Sequence, residues 1–207
     1  MPSPGRPERG RLAAESKDAL ASLRAQRLPL GWYARETEAV ARALLGCALV
    51  HGDRAGVIVE TEAYLGPEDL ASHARFGSTA RNAVMFGAAG TTYVYLCYGV
   101  HEMFNIVARD RREAGAVLVR AVAPLVGLPD DARVGRGPGK LTRALALSRA
   151  QHGRLLDGDG LFVAAHERVR PRDVVRSPRI GVDYAGAWAA RPLRFIIAGH
   201  PAVSGQR

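Results

Sequence analysis

"TTYVYLCYGVHEMFNIVAR", Thr91–Arg109, reads as two strands folded back on each other at Gly99. β-branched and aromatic residues fill both arms, and glycine marks the turn between them. A link that short pairs its strands antiparallel. Working outward, "AGVIVETEAYLG" (55–66) is a strand ended by Gly66-Pro67, and "GAVLVRAVAPL" (115–125) is a buried strand. Leu49 and Val50 open another, and "GLFVAAHE" (160–167) and "PLRFIIAGH" (192–200) are shorter ones. "TEAVARALLGCALVH" (37–51) places Val40, Ala43 and Leu44 at helical spacing before Gly46 stops the helix. "PEDLASHARFG" (67–77) reads as a helix followed by a loop, and "GPGKLTRALALS" (137–148) as a tight turn followed by a helix. Strands outnumber helices, the order is mixed and the links are short. That predicts an α+β single domain: a mostly antiparallel curved sheet with flanking helices and a protruding β-hairpin.

The chain has 207 residues, enough for one domain, expected over 28–207, and an N-terminal extension, 1–27. "MPSPGRPERGRL" reads as disordered from its Pro, Gly and Arg content, and "AAESKDALASLRAQR" as weakly helical with little that looks like core. A formal net charge of +9 and a pI of about 10.3 suggest a polyanionic partner, nucleic acid or an anionic membrane, or a merely basic soluble protein. No apolar run approaches the roughly 20 residues that span a bilayer. The only lysines are Lys17 and Lys140, and the remaining cations are arginines, whose planar fork suits phosphate. Cys47 and Cys97 form no metal or disulfide pattern, which fits a reduced cytosolic compartment. The N-terminus lacks the apolar segment of a secretory signal.

Strand alternation over 57–64 puts Val57, Val59, Thr61 and Ala63 on one face and Ile58, Glu60, Glu62 and Tyr64 on the other. Two carboxylates beside a phenol are either an exposed strand face or a general base next to an aromatic ring. In the hairpin, Tyr93 and Tyr95 share a face, while Tyr98 has the opposite parity and sits near the tip. Three of the chain's six tyrosines are gathered there. They are either ordinary sheet aromatics or rings placed to stack on nucleobases.

"VETEAYLGPED", "ASHARFGSTARNAVMF", "GTTYVYLCYGVHEMFN", "VLVRAVAPL", "GPGKLTRAL" and "RIGVDYAG…PLRF" follow one another along the chain. In that order they resemble the alkyladenine, or 3-methyladenine, DNA glycosylases, from about Gly31 to Pro201. The resemblance implies removal of damaged purines by cleavage of the N-glycosidic bond, the first step of base excision repair. The target nucleotide must first be flipped out of the duplex. By resemblance, Tyr98 intercalates in the gap, Tyr95 and Tyr64 sandwich the flipped base, and His73 touches its edge. Glu62 is then the general base on a water aimed at the sugar. Arg120 and the backbone carbonyl of Ile180 help to position that water. Asn105 crowds the exocyclic amino group of guanine, and Thr79, Arg81 and Lys140 contact the DNA backbone. Glu60 shares the face of Glu62 but receives no role, and Glu102 puts an anion on the hairpin.

The implied partner is double-stranded DNA, with no membrane, no metal and no cofactor. A monomer, cytoplasmic and DNA-associated (at the nucleoid if prokaryotic), is expected. The implied substrates are 3-methyladenine, 7-methylguanine, hypoxanthine and ethenoadenine. Neither lysine falls in the proposed pocket, so direct hydrolysis is predicted rather than a Schiff-base lyase reaction. The other readings are a non-catalytic lesion-binding protein and a nucleic-acid-binding module on the same scaffold. The presence of both Glu62 and Arg120 favours the enzyme.

Overall fold

The computed structural model describes residues 6–109 and 114–205, the side chains of 6–13 excepted. Eight strands form one antiparallel sheet: β1 (Ala48–His51), β2 (Arg54–Tyr64), β3 (Thr92–Cys97), β4 (His101–Ala108), β5 (Gly115–Val126), β6 (Leu161–Ala164), β7 (Val174–Ser177) and β8 (Arg194–Ile197). The main path runs β3-β4-β5-β2-β1-β6, and β7 and β8 branch from β2. Helices α1 (Arg6–Ala25), α2 (Thr37–Ala43) and α3 (Pro138–Ala144) flank it. The fold is the expected α+β sheet, with the β3–β4 hairpin at one edge.

Strand β2 is the axis. One edge pairs with β5 along its length. The other pairs first with β1 (Arg54 to Val57) and then with β8 (Glu60 to Glu62). Covered on both edges and both faces, β2 is buried from Ala55 to Ala63. Its register against β5 slips between Ile58 and Thr61, as at a β-bulge. The slip changes the expected facing. Ile58 packs in the main core with Ala63, and the Thr61 hydroxyl donates to the Ala41 carbonyl of α2 at 2.8 Å. Val59 turns instead to Ala121, Ala202 and Val203. Glu60, Glu62 and Tyr64 stay together, but Ile58 does not join them, because an irregular strand breaks period-two counting.

The helix expected over 67–77 is absent apart from a 3-10 turn at His73–Phe76. The Asp69 carboxylate accepts the Leu65 and Ala71 N–H groups, both at 3.0 Å, which draws these amides into a loop rather than a helix. The Ser72 hydroxyl then caps the short turn by accepting from the Ala74 N–H. Strand β7 was not legible in the sequence. It is short, and only its pairing with β8 gives it order.

Of the extension expected at 1–27, residues 1–5 lie outside those described. Within α1, Leu20 and Leu23 are buried against Ala48, Val50, Ala55, Val126, Phe162 and Ala164. They sit three apart, so one helix face meets the sheet. This helix therefore contributes core where its sequence showed little. Leu23→Ala is expected to lower unfolding stability by about 2 kcal/mol or more, the scale of a buried leucine truncation. Urea denaturation measures it, and a loss within experimental error would mean that α1 does not dock in solution.

Candidate active site

The β3–β4 hairpin carries the rings. Tyr93 lies opposite Asn105 and Tyr95 opposite Met103. At the tip, the Val100 N–H donates to the Cys97 carbonyl at 3.1 Å, closing a turn over Tyr98 and Gly99. Both central residues have positive φ, 50° at Tyr98 and 70° at Gly99. Consecutive left-handed residues are the mark of a type I′ turn, which suits the twist of hairpin strands. Glycine takes such a φ freely, whereas tyrosine pays about 1–2 kcal/mol. Tyr98 is also 93% exposed, so packing returns nothing for that strain. Sterically forced and solvent-facing, the ring is held out for something else.

Behind the turn lies a cavity of about 500 Å³. Tyr64, His73, Arg81, Tyr95, Tyr98, Asn105, Arg120 and Ile180 all line it, joined by Tyr93 and Tyr184. His73 is fixed by a 2.8 Å hydrogen bond between its Nδ1 and the Tyr93 hydroxyl, and its ring meets Tyr95 edge-on with centroids 4.8 Å apart. Burial, reinforced by Arg81 and Arg75, pushes the His73 pKa below its usual value and keeps the imidazole neutral. The Asn105 amide nitrogen donates to the carbonyls of Tyr93 (3.0 Å) and Met103 (3.2 Å), so its orientation is locked.

Glu62 sits under the cavity wall rather than in it, with no solvent exposure. One carboxylate oxygen accepts the Ile180 N–H at 2.8 Å and faces Arg120 Nη1 at 3.3 Å. The other accepts the Tyr64 hydroxyl at 2.9 Å. Its three neighbours all line the cavity, so Glu62 is one bond behind the surface. The contact from Ile180 is its N–H, whereas the resemblance implied a role for its carbonyl. Burial and then the Glu62 charge push the Tyr64 phenol well above its usual pKa, which keeps its proton on the donating oxygen.

Glu60, equally buried, is saturated by donors. It accepts from Arg120 Nε (3.0 Å), Arg194 Nε (2.7 Å), and the Ser204 N–H (2.7 Å) and hydroxyl (3.0 Å). Arg120 thus bridges two carboxylates. Burial works against its charge, but Glu62 and Glu60 outweigh burial and raise its pKa. Tyrosines thus ring a cavity that lies over this buried carboxylate. A methylpurine-DNA glycosylase family model matches residues 31–201. The chain belongs to the methylpurine-DNA glycosylase family. It is 52% identical over 184 residues to an Anaeromyxobacter dehalogenans protein named "Putative 3-methyladenine DNA glycosylase", covering 86% of this chain and 85% of that one. A Myxococcus xanthus protein of the same name is 51% identical over 174 residues, 82% of this chain and 89% of its own. One from Legionella pneumophila (strain Corby) is 42% identical over 184 residues, 86% and 98% respectively.

A glycosylase of this family acts on N-glycosyl bonds in DNA, and its members bind DNA. Other candidate residues of this glycosylase fall outside the cavity. The Thr79 hydroxyl donates to Asn82 Oδ1 at 2.9 Å, and Asn82 in turn donates to the carbonyls of His73 (2.8 Å) and Gly77 (2.9 Å). Thr79 thereby shapes the loop that carries His73. Lys140 lines a separate basic cavity with Arg54, Arg133 and Arg143. Glu102 turns to Arg149, its Oε1 3.2 Å from Nε, so the anion on the hairpin is paired within the protein. Among the described residues no group of three or more His, Cys, Asp and Glu side chains could hold a metal ion, and no helix is long and apolar enough to cross a membrane.

Sequence reasoning gave Glu60 no role and missed Arg194, Ser204 and the Asp69–Arg179 pair. Arg179 Nη1 and Nη2 donate to the two Asp69 oxygens at 2.6 and 2.8 Å, with both side chains fully buried. The guanidinium of Arg179 also covers the Tyr64 ring, 4.7 Å from its centroid. No spacing links position 69 to position 179, so only their charge hinted at a pairing.

The depressed His73 pKa has a stability consequence. The unfolded chain binds a proton at this histidine near pH 6.5, the folded protein only at lower pH. Folding stability is therefore expected to fall as pH drops below about 6.5. His73→Gln should flatten that slope relative to the parent, as read by urea midpoints at pH 7.5 and pH 5.5. His200, whose pKa is also lowered, contributes the same sign in both proteins and drops out of the difference.

Proposed function

We propose that the protein is a monofunctional glycosylase that excises alkylated purines from duplex DNA by base flipping and water attack. The observation that carries this reading is the buried Glu62 carboxylate directly behind a ring-lined cavity. In the proposed cycle Tyr98 enters the base stack and the damaged purine lies between Tyr64 and Tyr95. Glu62 then polarises a water at the anomeric carbon, and its negative charge stabilises the oxocarbenium-like transition state. Arg120 holds Glu62 in place, its Nη1 3.3 Å from the carboxylate. A carboxylate 0% exposed acts in a low dielectric, where its field on a cation is strong.

Two features support a preference for cationic purines such as 3-methyladenine and 7-methylguanine. They leave without further protonation, and electron-rich rings favour a cation by about 0.5–2 kcal/mol. A neutral purine, hypoxanthine or ethenoadenine, needs a proton to leave. His73 is held neutral and the Tyr95 phenol is pushed up by burial, so neither readily supplies one. Asn105, tied down through its amide nitrogen, cannot swing aside for the exocyclic amino group of guanine. Hydrolysis is direct: Lys17 is exposed on α1 and Lys140 lies in the second cavity. A strand break appearing before alkali treatment would contradict this.

Duplex DNA carrying one methylated purine, followed by alkaline cleavage of abasic sites, tests the scheme. Glu62→Gln is expected to cut base release by about 100-fold or more, the scale of a lost general base, while duplex binding is kept. Release at the parent rate would remove Glu62 from the mechanism. Tyr98→Asn, a residue that tolerates positive φ, is expected to leave the melting temperature unchanged or higher while slowing release. Lower stability with unchanged release would instead make Tyr98 a packing residue.

A further inference from the structure

Next to the cavity, Phe76 at the end of the loop that bears His73 and Tyr184 from the Asp183–Trp188 turn are exposed rings that the proposed reaction does not use. Phe76 is 66% exposed and Tyr184 is 63% exposed, and Leu70 beside them is 48% exposed. Tyr184 also lines the cavity, which places this patch at its mouth. The Arg75 guanidinium carbon lies over both rings, 4.4 Å from the Phe76 centroid and 5.1 Å from the Tyr184 centroid. Arg75 Nη1 donates to the Leu70 carbonyl, and the Tyr184 hydroxyl donates to the Ala71 carbonyl at 3.4 Å. Among the described residues no carboxylate pairs with Arg75.

From this arrangement we infer that Arg75, clamped by Phe76 and Tyr184, is a preassembled site for a backbone phosphodiester of the DNA strand entering the cavity. The inference rests on reading that cavity as the base pocket. A guanidinium has five N–H donors in its plane. The guanidinium carbon stands over both rings and one donor is spent on Leu70, so the remaining donors are left for a ligand. Planar, paired donors match the oxygens of a phosphate, and rings that fix the guanidinium reduce the ordering cost of binding. Exposed apolar rings gathered at the mouth of a cavity mark a surface that a partner covers. A phosphodiester supplies the charge, and its deoxyribose supplies an apolar surface for Phe76. Arg75 also lowers the His73 pKa, which fits a position close to the base site.

Binding of a duplex with an uncleavable abasic analogue, followed across a salt series, tests the assignment. Arg75→Gln is expected to weaken binding and to reduce the slope of log K against log salt by about 0.9, one phosphate contact. Arg75→Lys should keep the slope and lose affinity. The double variant Phe76→Ala, Tyr184→Ala should behave like Arg75→Lys, because the charge stays and its clamp is gone. Base release at saturating DNA should fall far less in Arg75→Gln than the about 100-fold expected of Glu62→Gln, which separates this site from the chemistry. Parent affinity and slope in Arg75→Gln would overturn the assignment. So would equal losses in the lysine and glutamine variants with no change of slope.

Discussion

Two carboxylates on the central strand of a sheet, both without solvent exposure, are the constraint that the rest of the structure answers. An isolated buried carboxylate costs many kcal/mol, so each needs a cation and hydrogen bonds at once. Arg120, from the neighbouring strand, supplies both by bridging Glu60 at 3.0 Å and Glu62 at 3.3 Å. One guanidinium cannot balance two anions. Arg194 of β8 therefore comes in at 2.7 Å from Glu60, and Ser204 adds its N–H and hydroxyl. The branching of the sheet at β2, and the return of the C-terminal segment to it, bring Arg194 and Ser204 to this carboxylate.

The same cluster separates two tasks. Glu60, accepting from three residues, is a fixed counter-charge that holds Arg120. Glu62 is bound by one backbone N–H, one phenol and the longer contact to Arg120. Because Glu60 has Arg194 in contact besides the shared Arg120, the Glu62 charge is the less fully compensated of the two. A carboxylate whose field is not cancelled locally is what a developing sugar cation requires in the proposed reaction. A single carboxylate with a dedicated arginine would be better neutralised and less useful.

The hairpin, the buried strands and the helix that starts at Pro138 were legible because each depends on local spacing and turn chemistry. Gathering of the site was legible too, since Tyr64, His73, Tyr95, Tyr98, Asn105, Arg120 and Ile180 do line one cavity. What failed depends on partners remote in sequence. The register slip that sends Ile58 into the main core is set by pairing with β5. The helix expected over 67–77 is overridden by Asp69, which a buried arginine 110 positions away holds in place. Leu20 and Leu23 looked incidental because two leucines on a polar helix give no strong pattern, yet the sheet face supplies the other half of the contact. Charge showed that arginines were abundant, but not that Arg75, Arg179 and Arg194 had separate duties.

Those arginines also bear on where selectivity arises. Tyr64 already faces Arg179 at 4.7 Å, and Tyr95 faces Arg81 at 5.4 Å. A ring that shares its electron density with a guanidinium on one side attracts a second cation less on the other. Binding of a cationic purine between these rings is then favoured only modestly over a neutral one. In the proposed reaction, discrimination then comes largely from the chemical step, in which a positive base departs readily and Glu62 steadies the sugar left behind. Differences that appear in the transition state raise turnover of the damaged nucleotide without trapping undamaged bases in the cavity. That division suits a net charge of +9, whose attraction to phosphate does not depend on the bases it passes.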